Sequence, residues 1–202
     1  LKNVPVQGEA GVYVAESDYL SAAREICDDR NALLIFDEVQ TGFGRTGEWF
    51  GKDHFAVKPD IMTLAKAMAG GLPMGAMLAA GEAAEVLTKG DHGSTFAGGP
   101  VVCAAALAVI DVIREEKLVA RSRENGAYLK SELAKLGPRE VRGLGLMVGI
   151  DLDADCKSLV EKALAQGVLI NSTGEHTLRL IPPLVVDKKE IDQVVSVIGQ
   201  SL

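Results

Sequence analysis

Asp37 and Lys66 each stand just beyond a short apolar run, Asp37 after "LLIF" and Lys66 soon after "IMTL". In an open parallel sheet, ligands gather at the carboxyl ends of the strands, so an acid and an amine in these places can meet at one sheet edge. Taken singly, each has an ordinary explanation: an aspartate after a strand is usually a turn or cap residue, and a lysine near a helix start is usually solvated. Together they fit the pattern used with pyridoxal phosphate (PLP), in which a lysine forms a Schiff base and an aspartate partners the pyridinium nitrogen. Transamination builds negative charge on a carbon beside an imine, and a protonated ring nitrogen draws that charge away. A neighbouring carboxylate raises the pKa of that nitrogen and holds its proton. The lysine amine, once displaced by substrate, can act as base and then acid at the reacting carbon. In this arrangement Asp37 sets the electron sink and Lys66 does the proton work.

A second pattern competes for the same stretch. Gly42, Gly44 and Gly47 in "GFGRTG" spell the G-x-G-x-x-G of dinucleotide sites. That fingerprint requires the first glycine to turn directly off the strand and the third to open a helix facing the pyrophosphate. Here Asp37 to Thr41 intervene, and "EWFGKDHFAVKPD" has no apolar repeat at helical spacing. Asp60 precedes its strand rather than ending it. The glycines read instead as a turn, with Arg45 tied to a local carboxylate.

The elements that must position these residues follow from periodicity. From Ser17 to Arg30 the apolar residues Tyr19, Leu20, Ala23, Ile26 and Cys27 recur three or four apart, predicting a helix capped by Ser17. "LLIF" lacks alternation, as expected of a strand covered on both faces, and Ile61 to Leu64 and Ala76 to Ala80 read as two more strands. Pro100 opens a helix running to about Glu116, followed by another from about Leu118 to Leu136. Beyond Pro138, "EVRGLGLMVGIDL" reads as a strand pair or one bent strand, "KSLVEKALAQG" as a helix, and "VLINS" and "TLRLI" as short strands. Asp187 and Glu190 form a capping pair ahead of a helical face made by Ile191, Val194, Val195 and Ile198. The expectation is a doubly wound α/β region joined near Ile113 to a small α+β unit.

Composition narrows the function classes. The 202 residues carry 21 Lys plus Arg against 28 Asp plus Glu, a formal charge of −7, and no basic run offers a footing for nucleic acid. No apolar stretch is long enough for a membrane span, and the first residues are no signal peptide. Cys27, Cys103 and Cys156 are too scattered for a disulfide frame or a zinc site, so no metal is expected and a cytoplasmic setting is. Leu1 is not an initiator methionine, and the chain reads as a piece that starts mid-domain.

Four stretches in this order, "LLIFDEVQTGFGRTG", "KPDIMTLAKAMAGGLPMGAML", "HGSTFAGGPVVCAAALAV" and "TLRLIPPL", resemble the class III (subgroup II) aminotransferases, and among them the acetylornithine aminotransferases. The resemblance runs from Val6 to the C-terminus. It implies an α/β fold-type I PLP-dependent transferase. Residues 1–112 would be the C-terminal part of the large, parallel-sheet, PLP-binding domain, and 113–202 a small C-terminal α+β domain. It also implies a homodimer with active sites at the interface, exchanging an amino group between acetylornithine and 2-oxoglutarate, with glutamate as co-product, in arginine biosynthesis.

Residue by residue, the resemblance puts Asp37 on the pyridinium nitrogen, Val39 against the ring face, Gln40 on the ring hydroxyl and Lys66 in the Schiff base. Ser94 and Thr95 match the segment whose threonine bonds the cofactor phosphate of the other subunit. Arg179 matches the arginine that takes the substrate carboxylate, and Glu9 the glutamate that pairs with it while the amino donor is bound. Ala97 and Gly99 depart from the glycine and asparagine usual there, and the family's N-terminal half, with its phosphate cup and ring-stacking aromatic, is absent. Ornithine, succinylornithine and 4-aminobutyrate aminotransferases and a semialdehyde aminomutase stay open as alternatives, as does a non-catalytic scaffold.

Overall fold

The computed structural model describes residues 1–202, apart from the side chain of Lys2. In chain order the first elements are β1 (Lys2–Asn3), β2 (Val6–Gln7), β3 (Tyr13–Val14), α1 (Ser17–Asp29), β4 (Ile35–Asp37), β5 (Ile61–Leu64) and β6 (Ala76–Ala79). There follow α2 (Pro100–Glu115), α3 (Leu118–Ala134), β7 (Glu140–Leu144), β8 (Met147–Asp151), α4 (Cys156–Ala165), β9 (Asn171–Ser172), β10 (Thr177–Leu180) and α5 (Lys188–Ser201). Two compact units, each discontinuous in sequence, account for the chain. One comprises Leu1–Pro5, Ala15–Phe43 and Trp49–Lys117; the other comprises Val6–Val14, Gly44–Glu48 and Leu118–Leu202.

The first unit is built on a sheet of order β1-β4-β5-β6. Strands β1, β4 and β5 are parallel, whereas β6 returns antiparallel to β5. Parallel pairing needs a crossover of a dozen or more residues. The β5–β6 link instead turns back through a 3-10 turn at Lys66–Ala69, so this region is mixed rather than purely doubly wound. Helix α1 buries Leu20, Ala23 and Cys27 against Leu34, Phe36 and Val57. Its N-cap is Glu16, with no side-chain cap bond, and the expected cap Ser17 is the first helical residue. Asp60, ahead of β5, accepts the Leu34 amide at 2.7 Å and pairs with Arg24 at 2.8 Å, which ties α1 to the sheet.

The second unit pairs an antiparallel sheet of order β7-β8-β10-β9 with α3, α4 and α5. Val148 and Ile150 of β8 face the main core, which includes Leu129, Leu133, Leu159 and Ile198. Met147, on the opposite face by strand alternation, packs with Val6 and Val12 of the β2–β3 hairpin. Asp187 and Glu190 form the expected capping box on α5, and Asp155 caps α4 through the amides of Lys157 and Ser158. The glycine-rich turn resolves here: Gly44 and Gly47, both at φ +86°, close it through a Gly47 amide to Gly44 carbonyl bond of 3.0 Å. Arg45 is not tied to a carboxylate as expected. It donates to the carbonyls of Leu146 and Pro182, and burial pushes its guanidinium down to about 10.

Candidate active site

In the first unit, β4 and β5 run side by side in parallel, and Asp37 stands opposite Thr63 in register. Lys66 follows Thr63 by three residues, so the acid and the amine lie at the carboxyl ends of adjacent strands. The Asp37 carboxylate is half-buried, and its Oδ1 accepts the Val39 amide at 3.0 Å. Lys66 is exposed and has a φ of +49°, a left-handed conformation uncommon for a residue with a side chain. Strain of this kind clusters at functional positions. Immediately afterwards Gly70, at φ +61°, ends the 3-10 turn against α2, where a Cβ would meet Val109 at 3.2 Å.

Alternating burial carries on past the end of β4: Phe36 and Glu38 are buried, while Asp37, Val39 and Gln40 are half-buried. Glu38 is 1% exposed, and its carboxylate accepts the Thr41 hydroxyl, the Gly51 amide at 2.7 Å and the Lys52 amide at 2.6 Å. Burial pushes its carboxyl up, against the lowering pull of those hydrogen bonds. Its own amide donates to Thr63 carbonyl at 2.9 Å, extending the β4–β5 pairing by one residue. Glu38 therefore braces the backbone that carries Asp37, Val39 and Gln40. Sequence reasoning passed over it because a glutamate beside an aspartate after a strand reads as solvated; only its three donors reveal it.

Ser94 and Thr95 lie on an exposed segment ahead of α2, and Ser94 Oγ accepts the Ala97 amide at 3.3 Å. Gly99 occupies the α2 N-cap without a side-chain bond. Among the described residues, no cluster of three or more His, Cys, Asp or Glu side chains could hold a metal ion, and no helix is long and apolar enough to cross a membrane.

In the second unit Arg179 on β10 meets Glu9: Nη1 lies 2.7 Å from Oε1 and also donates to the Gly8 carbonyl at 3.2 Å. A second arginine, Arg142 on β7, forks onto Asp151 through Nη1 at 2.6 Å and Nη2 at 3.0 Å. Its guanidinium lies 4.2 Å from the centre of the Tyr13 ring. The hydrogen bonds from Arg142 hold the Asp151 carboxyl below the usual carboxylate range, against the burial that would raise it. So the structure sets Asp37 and Lys66 at the carboxyl ends of neighbouring strands and joins Glu9 with Arg179 in an ion pair.

The family model for class-III aminotransferases matches residues 4–202. The chain is 53% identical over 200 residues to the acetylornithine aminotransferase of Methanosarcina acetivorans, covering 98% of this chain and 50% of that protein. Among solved structures, the ornithine aminotransferase of Toxoplasma gondii superposes with a TM-score of 0.91 at 37% identity, over 99% of this chain and 50% of that one. The acetylornithine aminotransferase of Elizabethkingia anophelis does so with a TM-score of 0.89 at 36% identity, over 99% and 55%. The chain thus spans about half the length of the curated relatives it matches. Its architecture is the α/β fold-type I of PLP-dependent aminotransferases. With the family pattern met from residue 4 to the last residue, the chain belongs to the class-III aminotransferases.

Proposed function

We propose that this aminotransferase is PLP-dependent and moves the terminal amino group of N-acetylornithine, or a related ω-amino donor, to 2-oxoglutarate, serving arginine biosynthesis in the cytoplasm. The observation that carries the reading is the placement of Asp37 at the end of β4 and of Lys66 just past the end of the adjacent parallel strand β5. The donor set suits the cofactor: an exposed primary amine for its aldehyde, and a half-buried carboxylate for its ring nitrogen. When bound, PLP supplies an electron-poor ring that accepts charge from the substrate carbon.

The chain's own residues do the rest. Lys66 provides the attachment amine and, once displaced, holds and moves the proton at the substrate carbon. With the cofactor bound, Asp37 would keep the ring nitrogen protonated, Val39 would support the ring and Gln40 would hold its hydroxyl. Ser94 and Thr95 would hold the phosphate of the partner subunit's cofactor in a homodimer. Arg179 grips the α-carboxylate of glutamate or 2-oxoglutarate, and Glu9 masks that charge while the ω-amino donor reacts. The Glu9–Arg179 ion pair supports this switch.

The test is an amino-transfer assay on the full-length enzyme, with 2-oxoglutarate as acceptor and N-acetylornithine, ornithine, succinylornithine and 4-aminobutyrate as donors. Glutamate formation fastest with N-acetylornithine, and absent in Lys66→Ala, is the expected result. Faster transfer from another donor would reassign the substrate, and no transfer from any would overturn the reading.

A further inference from the structure

Gly149 of β8 stands in register with Arg142 on one side and Arg179 on the other. Residues paired across strands share a face, so three neighbouring positions read arginine, glycine, arginine. The turn from Gly8 to Val12 occupies the slot left by the missing side chain. A Cβ on Gly149 would sit 2.6 Å from the Gly11 carbonyl oxygen and 3.2 Å from Val12 Cβ. Each arginine then holds one end of that turn, Arg179 at the Gly8 carbonyl and Arg142 Nε at the Gly11 carbonyl, 2.9 Å away.

The two arginines differ in how firmly they are held. Arg142 has a side chain only 8% exposed, and it is occupied by Asp151, Glu140 and the Tyr13 ring. Asp151 is itself steadied by the Thr177 hydroxyl at 2.6 Å. A guanidinium so engaged has no fork to offer a substrate carboxylate. Arg179 shares its charge with Glu9, whose side chain is 73% exposed and can swing away. One arginine is an anchor, and the other is exchangeable.

We propose that Arg142 and Gly149 are positioning residues for the Glu9–Arg179 pair: Arg142 pins the Gly11 end of the turn and Gly149 leaves room for it, so that Glu9 re-forms its pair whenever the substrate carboxylate departs. The inference rests on the substrate-switching reading of Glu9 and Arg179 given above. A turn fixed at both ends presents Glu9 with little ordering left to do, whereas a turn freed at Gly11 spreads Glu9 over many positions and leaves Arg179 unmasked more of the time. The consequence is specificity: loss of the anchor favours glutamate over the ω-amino donor.

The experiment times the two half-reactions separately in the full-length, PLP-loaded enzyme, by the absorbance change with glutamate and with the preferred ω-amino donor. Arg142→Ala, Arg142→Lys and Gly149→Ala are compared with Glu9→Ala. The ratio of glutamate to donor efficiency should rise by about fivefold or more in Arg142→Ala and Gly149→Ala, in the same direction as in Glu9→Ala. Adding Arg142→Ala to Glu9→Ala should move the ratio no further. A merely structural arginine would slow both half-reactions alike, so an unchanged ratio in the folded Arg142 and Gly149 variants overturns the inference. A ratio shifted by Glu9→Ala but not by them leaves the switch standing and removes only its anchor. A ratio untouched by Glu9→Ala removes the switch and the anchor together. If Arg142→Ala does not fold, Arg142→Lys and Gly149→Ala decide the matter.

Discussion

Glu9 Oε1 stands 2.7 Å from Arg179 Nη1, yet the glutamate side chain is 73% exposed and the arginine 14%. An ion pair open to water on one side contributes about 0–1 kcal/mol, weak enough to be exchanged as the proposed switch requires. A substrate carboxylate that engages the planar fork with both oxygens makes two charge-assisted bonds and displaces it. Arg179→Lys keeps the charge and loses the fork. Efficiency with glutamate should fall by roughly tenfold to a hundredfold, about 1.4–2.8 kcal/mol. The ω-amino half-reaction should change by less than about threefold, because in the proposed switch Arg179 is masked during it. Equal losses in both, by single-turnover absorbance, would take Arg179 out of substrate recognition.

Lys66, the proposed attachment amine, has a strained backbone at φ +49°. Glycine adopts that conformation without the steric cost that a Cβ brings, which is about 1–2 kcal/mol. Lys66→Gly should therefore be inactive and yet melt no lower than the parent apoprotein. Borohydride reduction of the PLP-loaded parent should leave the label on the peptide containing Lys66. Label on any other lysine, or a clear fall in melting temperature in the glycine variant, would count against this placement.

Asp37→Asn preserves shape, and the amide oxygen still accepts from the Val39 amide as Oδ1 does at 3.0 Å. What it removes is the negative charge that, in the proposed site, would keep the ring nitrogen protonated. Turnover should fall by orders of magnitude with melting unchanged. A loss of less than about tenfold, roughly 1.4 kcal/mol of barrier, would mean that the carboxylate does not set the electron sink.

Sequence made some of these relationships legible and hid others for physical reasons. Periodicity located β4, β5, α2 and α3 to within a residue or two, and the Asp187 and Glu190 spacing announced the α5 cap, because both signals are local. Local signals also place Asp37 and Lys66 at strand ends. Two-residue strands such as β1, β2 and β3 leave no periodic trace, and nothing in the residues of β6 announces its antiparallel pairing with β5. Buried partners are equally silent. Nothing beside Arg45 indicates that it will serve the carbonyls of Leu146 and Pro182, or that Glu38 will collect amides from Gly51 and Lys52. Arg142 and Gly149 gain their meaning only when β7, β8 and β10 set them in one row.

Glu38→Gln tests the brace beneath Asp37. Glu38 Oε2 takes both the Thr41 hydroxyl and the Gly51 amide, while Oε1 takes the Lys52 amide. A glutamine can satisfy the first pair with its oxygen, but its NH2 then faces the Lys52 N–H, donor against donor. Leaving a buried donor unmatched costs about 1–3 kcal/mol, and the partly buried Lys52 amide falls toward the lower end. The melting temperature should drop by roughly 2–4 °C for each kcal/mol in a protein of this size. Unchanged melting would show that the Lys52 amide finds water or another acceptor, and that Glu38 is not the brace.

Acid should release the anchor of the Glu9 turn. Hydrogen bonds from Arg142, followed by burial working against them and the Thr177 hydroxyl working with them, hold the folded Asp151 carboxyl below its ordinary value. A depressed carboxyl pKa contributes stability that is complete above the unfolded value, about 3.9, and is lost as pH falls through the folded value. The Arg142–Asp151 pair should therefore support the fold fully at pH 7 and fade below about pH 4. Asp151→Asn removes the charge at every pH, leaving the largely buried Arg142 without its forked partner. Breaking such a pair from one side costs about 3–5 kcal/mol when fully buried, and less here because Asp151 remains partly open to water. Melting curves of parent and Asp151→Asn between pH 7 and pH 3 should be well separated at neutrality and converge toward pH 3. A gap that stays constant across that range would mean that Asp151 acts through packing alone, with its charge playing no part in holding Arg142 against Gly11.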